Sequence, residues 1–389
     1  MTAGSPVTGV EEPHEGATAF VHLDHLAHNL ARVRAELAPG TKVLAAVKAN
    51  AYGHGLAGTA PELERLGVEW FGVATPSEAF TVRRSGVSAG VLLLTPVYAP
   101  ETIAALTSMG VSLVVTDEAS LDAIVAGRAA TAGTGAGARV RAGVHLKIDT
   151  GMGRLGLDWR RAAGMARRID AHPGLELQGV WTHLAASDDR DRTYTEAQLA
   201  DFDRGIDAIR ADGIDPGLRH VANSAAVFAY PDHHLDMVRP GIVLYGYYPA
   251  PSIEELAPGL RPVMRLSAPV TFVKRVQPGT SVSYEGLWTA RETTTIATVR
   301  IGYADGYRRG LTGSATVGWN GRTLPVVGRI CMDQLMLDAG DEDIAVGDTV
   351  TLFGPGGPSA ESVARSIGTV SYEMLVGVAE RVKRSYVRG

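Results

Sequence analysis

At 389 residues the chain exceeds what one ordinary hydrophobic core fills, and its size favours two domains, one of which could be a barrel of roughly 250 residues. Hydrophobic residues make up 45% of it and charged residues 20%, an ordinary globular balance that argues against extensive disorder. The net charge of -5 is spread along the chain, which therefore offers no basic surface to nucleic acid or an anionic membrane, and a single cysteine, Cys331, excludes an intrachain disulfide framework and a multi-cysteine metal site.

Residues 1–16 are acidic and lack a basic segment followed by an apolar core, so a flexible tail is expected there rather than a signal peptide. No stretch reaches the roughly 18 to 20 uninterrupted apolar residues that a spanning helix needs, and a reducing cytoplasm with no membrane insertion is the expectation. From about residue 17 to residue 248, short apolar, β-branched runs alternate with helical patterns, the sign of repeated βα units. Leu23, Leu26, Leu30, Val33 and Leu37 share one face of the first helix, with Asp24 as a candidate cap. Strands are predicted near 43–47, 70–74, 91–95 and 112–116, then near 144–148, 179–183, 219–222 and 237–245. Eight such runs separated by helix-length segments predict a closed (β/α)8 TIM-type barrel over 17–257, since an open doubly wound sheet usually has fewer strands and a Gly-rich first turn. The Gly/Ala/Thr stretch at 129–138 reads as a surface loop.

Past about Pro258, strand-like segments follow one another without long helices, at 268–276, 295–301, 315–319, 323–327 and 349–353. Asn320-Gly321 marks a hairpin, because both positions tolerate positive φ. Residues 258–389 are expected to form a mainly β C-terminal domain with a short helical finish over 360–379. The fold class is thus α/β for the barrel, followed by this second domain.

In a parallel barrel, reactive groups sit at the C-terminal ends of the strands. The run Leu44-Ala45-Ala46-Val47 stops at Lys48, which is followed by Asn50, Tyr52 and the small loop Gly53-His54-Gly55. Lysines normally keep their charge at the surface, so one ending a buried strand is unusual. Lys147 and Asp149 close another strand, Arg154 follows in the next turn, His183 closes the strand after it, and His220, Asn223 and Ser224 lie at a further one. A lysine neutralised at a barrel mouth suits Schiff-base formation, because desolvation frees its amine as a nucleophile. Pyridoxal phosphate needs such a lysine, anchors for its phosphate and a partner for its ring nitrogen. Ser224 and the amides around Gly241 could supply the anchors, and Arg239 could reach the ring. Cys331, His54, His233 and His234 read as solvated or packed residues, since their spacing makes no metal site.

The segments VKANAYGHG (47–55), LKIDTGMGRLG (146–156), ANSAA (222–226), VRPGIVLYG (238–246), VSY (282–284), IGYADGYRR (301–309) and GRICMDQ (328–334) together resemble the alanine racemase family. They stand in family order over nearly the whole chain. The resemblance implies a barrel holding pyridoxal phosphate, a C-terminal β domain, and a head-to-tail homodimer in which each site is completed by the other subunit. It implies that Lys48 carries the cofactor and acts as one base, while Tyr284 from the opposite subunit is the second, so that alanine loses a proton on one face and regains one on the other. Arg154 resembles the arginine that contacts the cofactor's phenolic oxygen and the substrate carboxylate, and Lys147 the position often carbamylated to hold that arginine. His183 and Arg239 resemble the network behind the tyrosine, with Arg239 facing the ring nitrogen. Tyr52, Ser224, Gly241 and Ile242 would bind phosphate, with Asn223 among the cofactor contacts. Met332 and Asp333 of the opposite chain would border the substrate, and Tyr303 would narrow the entrance.

Two positions depart from the family pattern: Glu285 stands where many members have glycine, and Glu380 where some carry a phosphate-binding tyrosine. Two other readings stay open: a broader or serine-preferring amino-acid racemase, and a non-catalytic pyridoxal-phosphate carrier, which would resemble the N-terminal half alone. The resemblance implies a small amino-acid substrate and a cytoplasmic supply of D-alanine for the cell wall, with no nucleic acid or membrane partner.

Overall fold

The computed structural model describes residues 16–129 and 141–388, so nearly all of the expected tail (1–16) and of the expected loop (129–138) lies outside the described residues. The chain divides into two compact units. One comprises Val21–Val263 with the residues from Tyr386 onward, the other Met264–Ser385 with the residues through Phe20.

The first unit is an eight-stranded parallel sheet curled into a nearly closed barrel. Its strands are Lys42–Ala46, Trp70–Val73, Gly90–Leu93, Val111–Val115, Ala142–Lys147, Leu175–Trp181, Leu218–His220 and Met237–Val238. Each pairs with the next in sequence as far as the seventh, and the eighth pairs with the first. The seam between seventh and eighth is bridged by the Asp236 amide donating to the Arg219 carbonyl (3.1 Å) and the Arg239 amide donating to the Ala222 carbonyl (2.8 Å). The strands read as continuous apolar runs because both faces of a parallel sheet are covered, and Val111–Val115 is buried at every position.

One predicted strand needs correction. The run at 237–245 is extended only over Met237–Val238, and Ile242–Tyr245 forms a 3₁₀ turn. Pro240 has no N–H to give a ladder, and Gly241 leaves the β region with φ -121° and ψ -95°.

The first helix, Leu23–Ala35, buries Leu23, Leu26, Leu30 and Val33 as its spacing predicts, while Leu37 falls beyond its end. His22, not Asp24, occupies the N-cap; Asp24 lies in the first turn, where its charge opposes the helix dipole favourably. The same face carries the wholly buried Asn29. Its Nδ2 donates to the carbonyls of Leu244 (3.1 Å) and Arg261 (2.8 Å), and its Oδ1 accepts from the Arg261 amide (2.8 Å).

In the second unit the long strand Met264–Val276 pairs antiparallel with both Thr294–Val299 and Thr349–Phe353. Leu335–Gly340, Arg322–Val327 and Thr316–Trp319 continue the sheet, with Thr18–His22 and Lys383–Val387 at its other edge. Trp319 pairs with Arg322 across Asn320 (φ 47°) and Gly321 (φ 77°), the two-residue hairpin the sequence indicates. The strand Leu335–Gly340 was not expected, although its alternating burial is the mark of a half-buried strand. The helical finish is two short helices, Ala360–Arg365 and Ser371–Val376. Among the described residues, no helix is long and apolar enough to cross a membrane.

Replacing Asn29 by alanine would take this partner from the buried Leu244 carbonyl and from the part-buried amide and carbonyl of Arg261. A loss of about 2 kcal/mol is expected, read as a fall of about 4 to 8 °C in the thermal unfolding midpoint. An unchanged midpoint would show that the Asn29 bonds are dispensable.

Candidate active site

Lys48 leaves the first barrel strand where the Val47 amide still donates to the Gly72 carbonyl at 2.9 Å. The four residues after it, Ala49, Asn50, Ala51 and Tyr52, have φ of 52°, 56°, 54° and 51°. Such a left-handed turn costs L-residues about 1 to 2 kcal/mol each, so it must be held from outside. The Ala49 amide donates to Glu78 Oε1 (2.6 Å), the Gly53 amide to the Ala49 carbonyl (2.9 Å), and the Leu56 amide to Asn50 Oδ1 (2.7 Å). The turn sets the Tyr52 ring against Tyr245, with centroids 4.8 Å apart, and His54 stacks on Tyr245 at 4.6 Å.

Burial lowers the pKa of the Lys48 amine, and the Arg154 and Arg239 charges lower it further against an opposing pull from Glu78. Lys147 is more deeply placed, with 1% of its surface exposed. Its ammonium lies 3.7 Å from the centre of the Trp181 ring and has no hydrogen-bond acceptor among the described residues. Burial, then Arg239 and Arg154, bring its pKa to about 7, with Asp149 opposing. Arg154 itself is exposed.

Arg239 is buried under the mouth. It donates to the carbonyls of His220 (2.6 Å), Thr182 (2.7 Å) and Val221 (3.1 Å), and lies 3.2 Å from His220 Nδ1 and 3.4 Å from His183 Nδ1. Desolvation brings its pKa to about 9, which leaves it cationic at neutral pH. His183 is held well below the ordinary histidine range by burial first, then by Arg239, Lys147, Arg154 and Lys48. From His220 the contacts run inward to His145, Nε2 to Nδ1 at 3.0 Å, with Trp181 stacked on His220 and Trp70 edge-on to His145. The sequence reading missed His145. Strand alternation was the available signal, since it places His145 on the same face as Lys147, two residues on.

Beside these cations lies a set of hydrogen-bonding groups. Ser224 Oγ accepts from the Gly241 amide at 2.8 Å. A Cβ at Gly241 would stand 2.5 Å from the Tyr52 hydroxyl, so any larger residue would push that hydroxyl away from its present place. Burial raises the Tyr52 pKa to about 12 and keeps its hydroxyl a donor. Asn223 turns the chain here: its Oδ1 accepts from the amides of Ala225 and Ala226 (both 3.1 Å) and from Ser187 Oγ (2.8 Å). Ile242 is fully buried at the start of the following turn. Four basic groups (Lys48, Lys147, Arg154 and Arg239), offset by Glu78 and Asp149, together with hydroxyl and amide groups, suit a small anionic ligand.

The remaining predicted residues lie in the second unit, laced together around Cys331. Ser283 Oγ, next to Tyr284, lies 3.6 Å from Cys331 Sγ, and the Tyr303 amide donates to the Cys331 carbonyl (3.1 Å). Met332 accepts from the Ala304 amide (3.0 Å), and Asp333 accepts from Arg381 Nη2 (2.7 Å). Tyr284 and Met332 are exposed, at 67% and 54%. Glu285 is ion-paired with Arg329, and Glu380 is exposed. His54 and His234 are buried, and His234 Nε2 lies 2.8 Å from the Val227 carbonyl, which makes it a packed residue.

Residues 21–249 match the family model for the alanine racemase N-terminal domain, and residues 263–386 that for its C-terminal domain. The chain belongs to the alanine racemase family. It is 40% identical to an alanine racemase of Desulfovibrio desulfuricans over 95% of this chain and 97% of that protein. With an alanine racemase of Chlorobaculum tepidum it shares 42% identity, over 95% of each. A solved alanine racemase structure from Clostridium difficile matches it with a TM-score of 0.90 at 34% identity, covering 97% of each chain. Alanine racemases are isomerases, so the groups at the barrel mouth belong to an enzyme of that class.

The buried histidines have a measurable consequence. An unfolded histidine titrates near about 6.5, whereas burial, then the Arg239 charge, bring His145 to about 3. Between those values the unfolded chain binds a proton that the folded chain refuses, so stability present above about pH 6.5 is lost as the pH falls. His145→Gln is expected to flatten this loss by up to about 1.4 kcal/mol per pH unit, measured by denaturant unfolding between about pH 6 and pH 4. Equal slopes for variant and parent would mean that His145 does not titrate in this way.

Proposed function

We propose that this enzyme interconverts L- and D-alanine with pyridoxal phosphate as cofactor, using Lys48 and Tyr284 of the partner subunit as bases on opposite faces of the substrate. The observation that carries the reading is a lysine of lowered pKa, ending a barrel strand, set among buried cations and a hydroxyl–amide cradle. That donor set fits the cofactor: an amine for its aldehyde, Tyr52, Ser224, Gly241 and Ile242 for its phosphate, and Arg239 behind its ring. When bound, the cofactor supplies an electron sink that weakens the Cα–H bond of an amino acid joined to it.

The chain's own groups do the rest. Lys48 Nζ, made nucleophilic by burial, would hold the cofactor and would take or return a proton at Cα from one face. The Tyr284 hydroxyl does the same from the other face. Arg154 holds the substrate carboxylate at the rim. The Nζ of Lys147, with no hydrogen-bond partner among the described residues and a pKa of about 7, has the neutral fraction that carbamylation requires, and a carbamate there would give Arg154 an anionic support. His183 and Arg239 stand 3.4 Å apart as a polar backing for the phenol.

The exposed group of Tyr284, Leu287, Tyr303 and Met332 supports a second copy as the cover for this surface and as the owner of the completed site. In that reading Met332 and Asp333 border the partner's substrate and Tyr303 narrows its entrance. The role is D-alanine supply in the cytoplasm.

Lys48→Ala is expected to abolish the absorbance near ~420 nm that bound pyridoxal phosphate gives; a retained band would assign the cofactor to another lysine. Sharing of the site is tested by mixing Lys48→Ala with Tyr284→Phe, each inactive alone. Random reassortment of head-to-tail dimers restores one intact site in each mixed dimer, so about a quarter of parental activity should return. No recovery after verified subunit exchange would place both groups in the same chain. Turnover of L-serine or L-lysine well above L-alanine would replace alanine as the substrate.

A further inference from the structure

Tyr284 sits at the tip of a short hairpin between Ser281–Val282 and Trp288–Thr289. The backbone on both sides of it is left-handed: Ser283 has φ 69°, Glu285 62° and Gly286 57°. Residues with a Cβ are disfavoured there and persist only where their surroundings hold them.

Both holds lead to one residue. Ser283 Oγ donates to the Arg329 carbonyl at 2.7 Å, and the Arg329 guanidinium donates through Nη2 to Glu285 Oε2. The approach is built into the backbone beside them. A Cβ at Gly328, whose φ is 67°, would stand 2.7 Å from the Ser283 Cβ, so only glycine lets the two segments lie this close. The Arg329 side chain is 19% exposed and its Nε has no acceptor among the described residues. The tyrosine is therefore flanked on one side by a hydroxyl tether to Arg329 and on the other by a charge tether to the same residue.

We propose that the Glu285–Arg329 ion pair is a positioning device that fixes the turn carrying Tyr284, so that its phenol meets the substrate carbon at one distance and angle. The inference rests on the reading of Tyr284 as the second base. Glu285 is mostly exposed, and ion pairs of that kind contribute little to stability. The effect falls on proton delivery to one face.

The test follows the holoenzyme in deuterium oxide and compares, for L- and D-alanine separately, Cα–H exchange with inversion and exchange with retention. The two enantiomers have equal energy, so kcat/KM is the same in both directions and only this ratio separates the faces. For the enantiomer whose proton Lys48 removes, Glu285→Ala and Arg329→Met are expected to lower inversions per exchange by about tenfold, within the loss that misplacing a reacting group by about an ångström produces. For the other enantiomer the tyrosine removes the proton and the ratio does not fall, so every outcome is read on the first. The change has the same sense as in Tyr284→Phe, with the unfolding midpoint and the cofactor spectrum unchanged. The exchanged pair Glu285→Arg with Arg329→Glu should recover most of the ratio. A parental ratio in Glu285→Ala, with a fall in Tyr284→Phe, overturns the positioning role and leaves the base in place. A fall in overall rate at a preserved ratio, or no recovery in the exchanged pair, overturns it as well. An unchanged ratio in Tyr284→Phe removes the base itself, and the inference with it.

Discussion

A guanidinium buried inside a barrel is a demanding guest, and much of this site follows from accommodating Arg239. Its charge cannot be left without partners, and three backbone carbonyls from the ends of the sixth and seventh strands meet it. Having satisfied it with neutral dipoles, the fold brings no carboxylate into direct contact among the described residues to cancel its field. The field therefore reaches Lys48, Lys147, His183, His145 and His220, and adds to burial in lowering the proton affinity of each. Burial first, with this buried cation adding to it, thus keeps neighbouring lysines prone to neutrality and neighbouring histidines unprotonated. That is the state in which an amine can act as a nucleophile and a base.

Each unit also carries a strained segment beside a proposed base. After Lys48 come four left-handed residues, and around Tyr284 there are three. The first is held by Glu78 and Asn50, the second by Arg329 and Glu285. In both places disfavoured torsions are maintained in part by a tether from another part of the chain, Glu78 in the first and Arg329 in the second, so side-chain direction is set partly by tertiary contacts. Rigid placement of two proton-transfer groups is what a two-base reaction asks of a scaffold.

Much of the barrel could be read in advance, because apolar β-branched runs at regular spacing express the double coverage of parallel strands. Lys48, Lys147 and His183 were legible for the same reason, since they stand where such runs stop. His145 escaped because it interrupts a run from within, and one polar residue inside an apolar strand looks like noise until its partners are known. The 3₁₀ turn at Ile242–Tyr245 escaped because its residues, Ile-Val-Leu-Tyr, carry strong strand propensity. Pro240 and Gly241 override it.

By itself the sequence determined the alternation of strands and helices, the hairpin at Asn320-Gly321, the family, and the residues that stop the barrel strands, because these depend on local pattern and residue type. Tertiary structure alone decided the left-handed course of Ala49 to Tyr52, the orphaned amine of Lys147, the meeting of Tyr52 with Ser224 and Gly241, and the tether from Arg329 to Glu285. The physical reason is common to all four. Each joins groups that are far apart in sequence or disfavoured in isolation, and only the closed fold supplies the contacts that offset the cost.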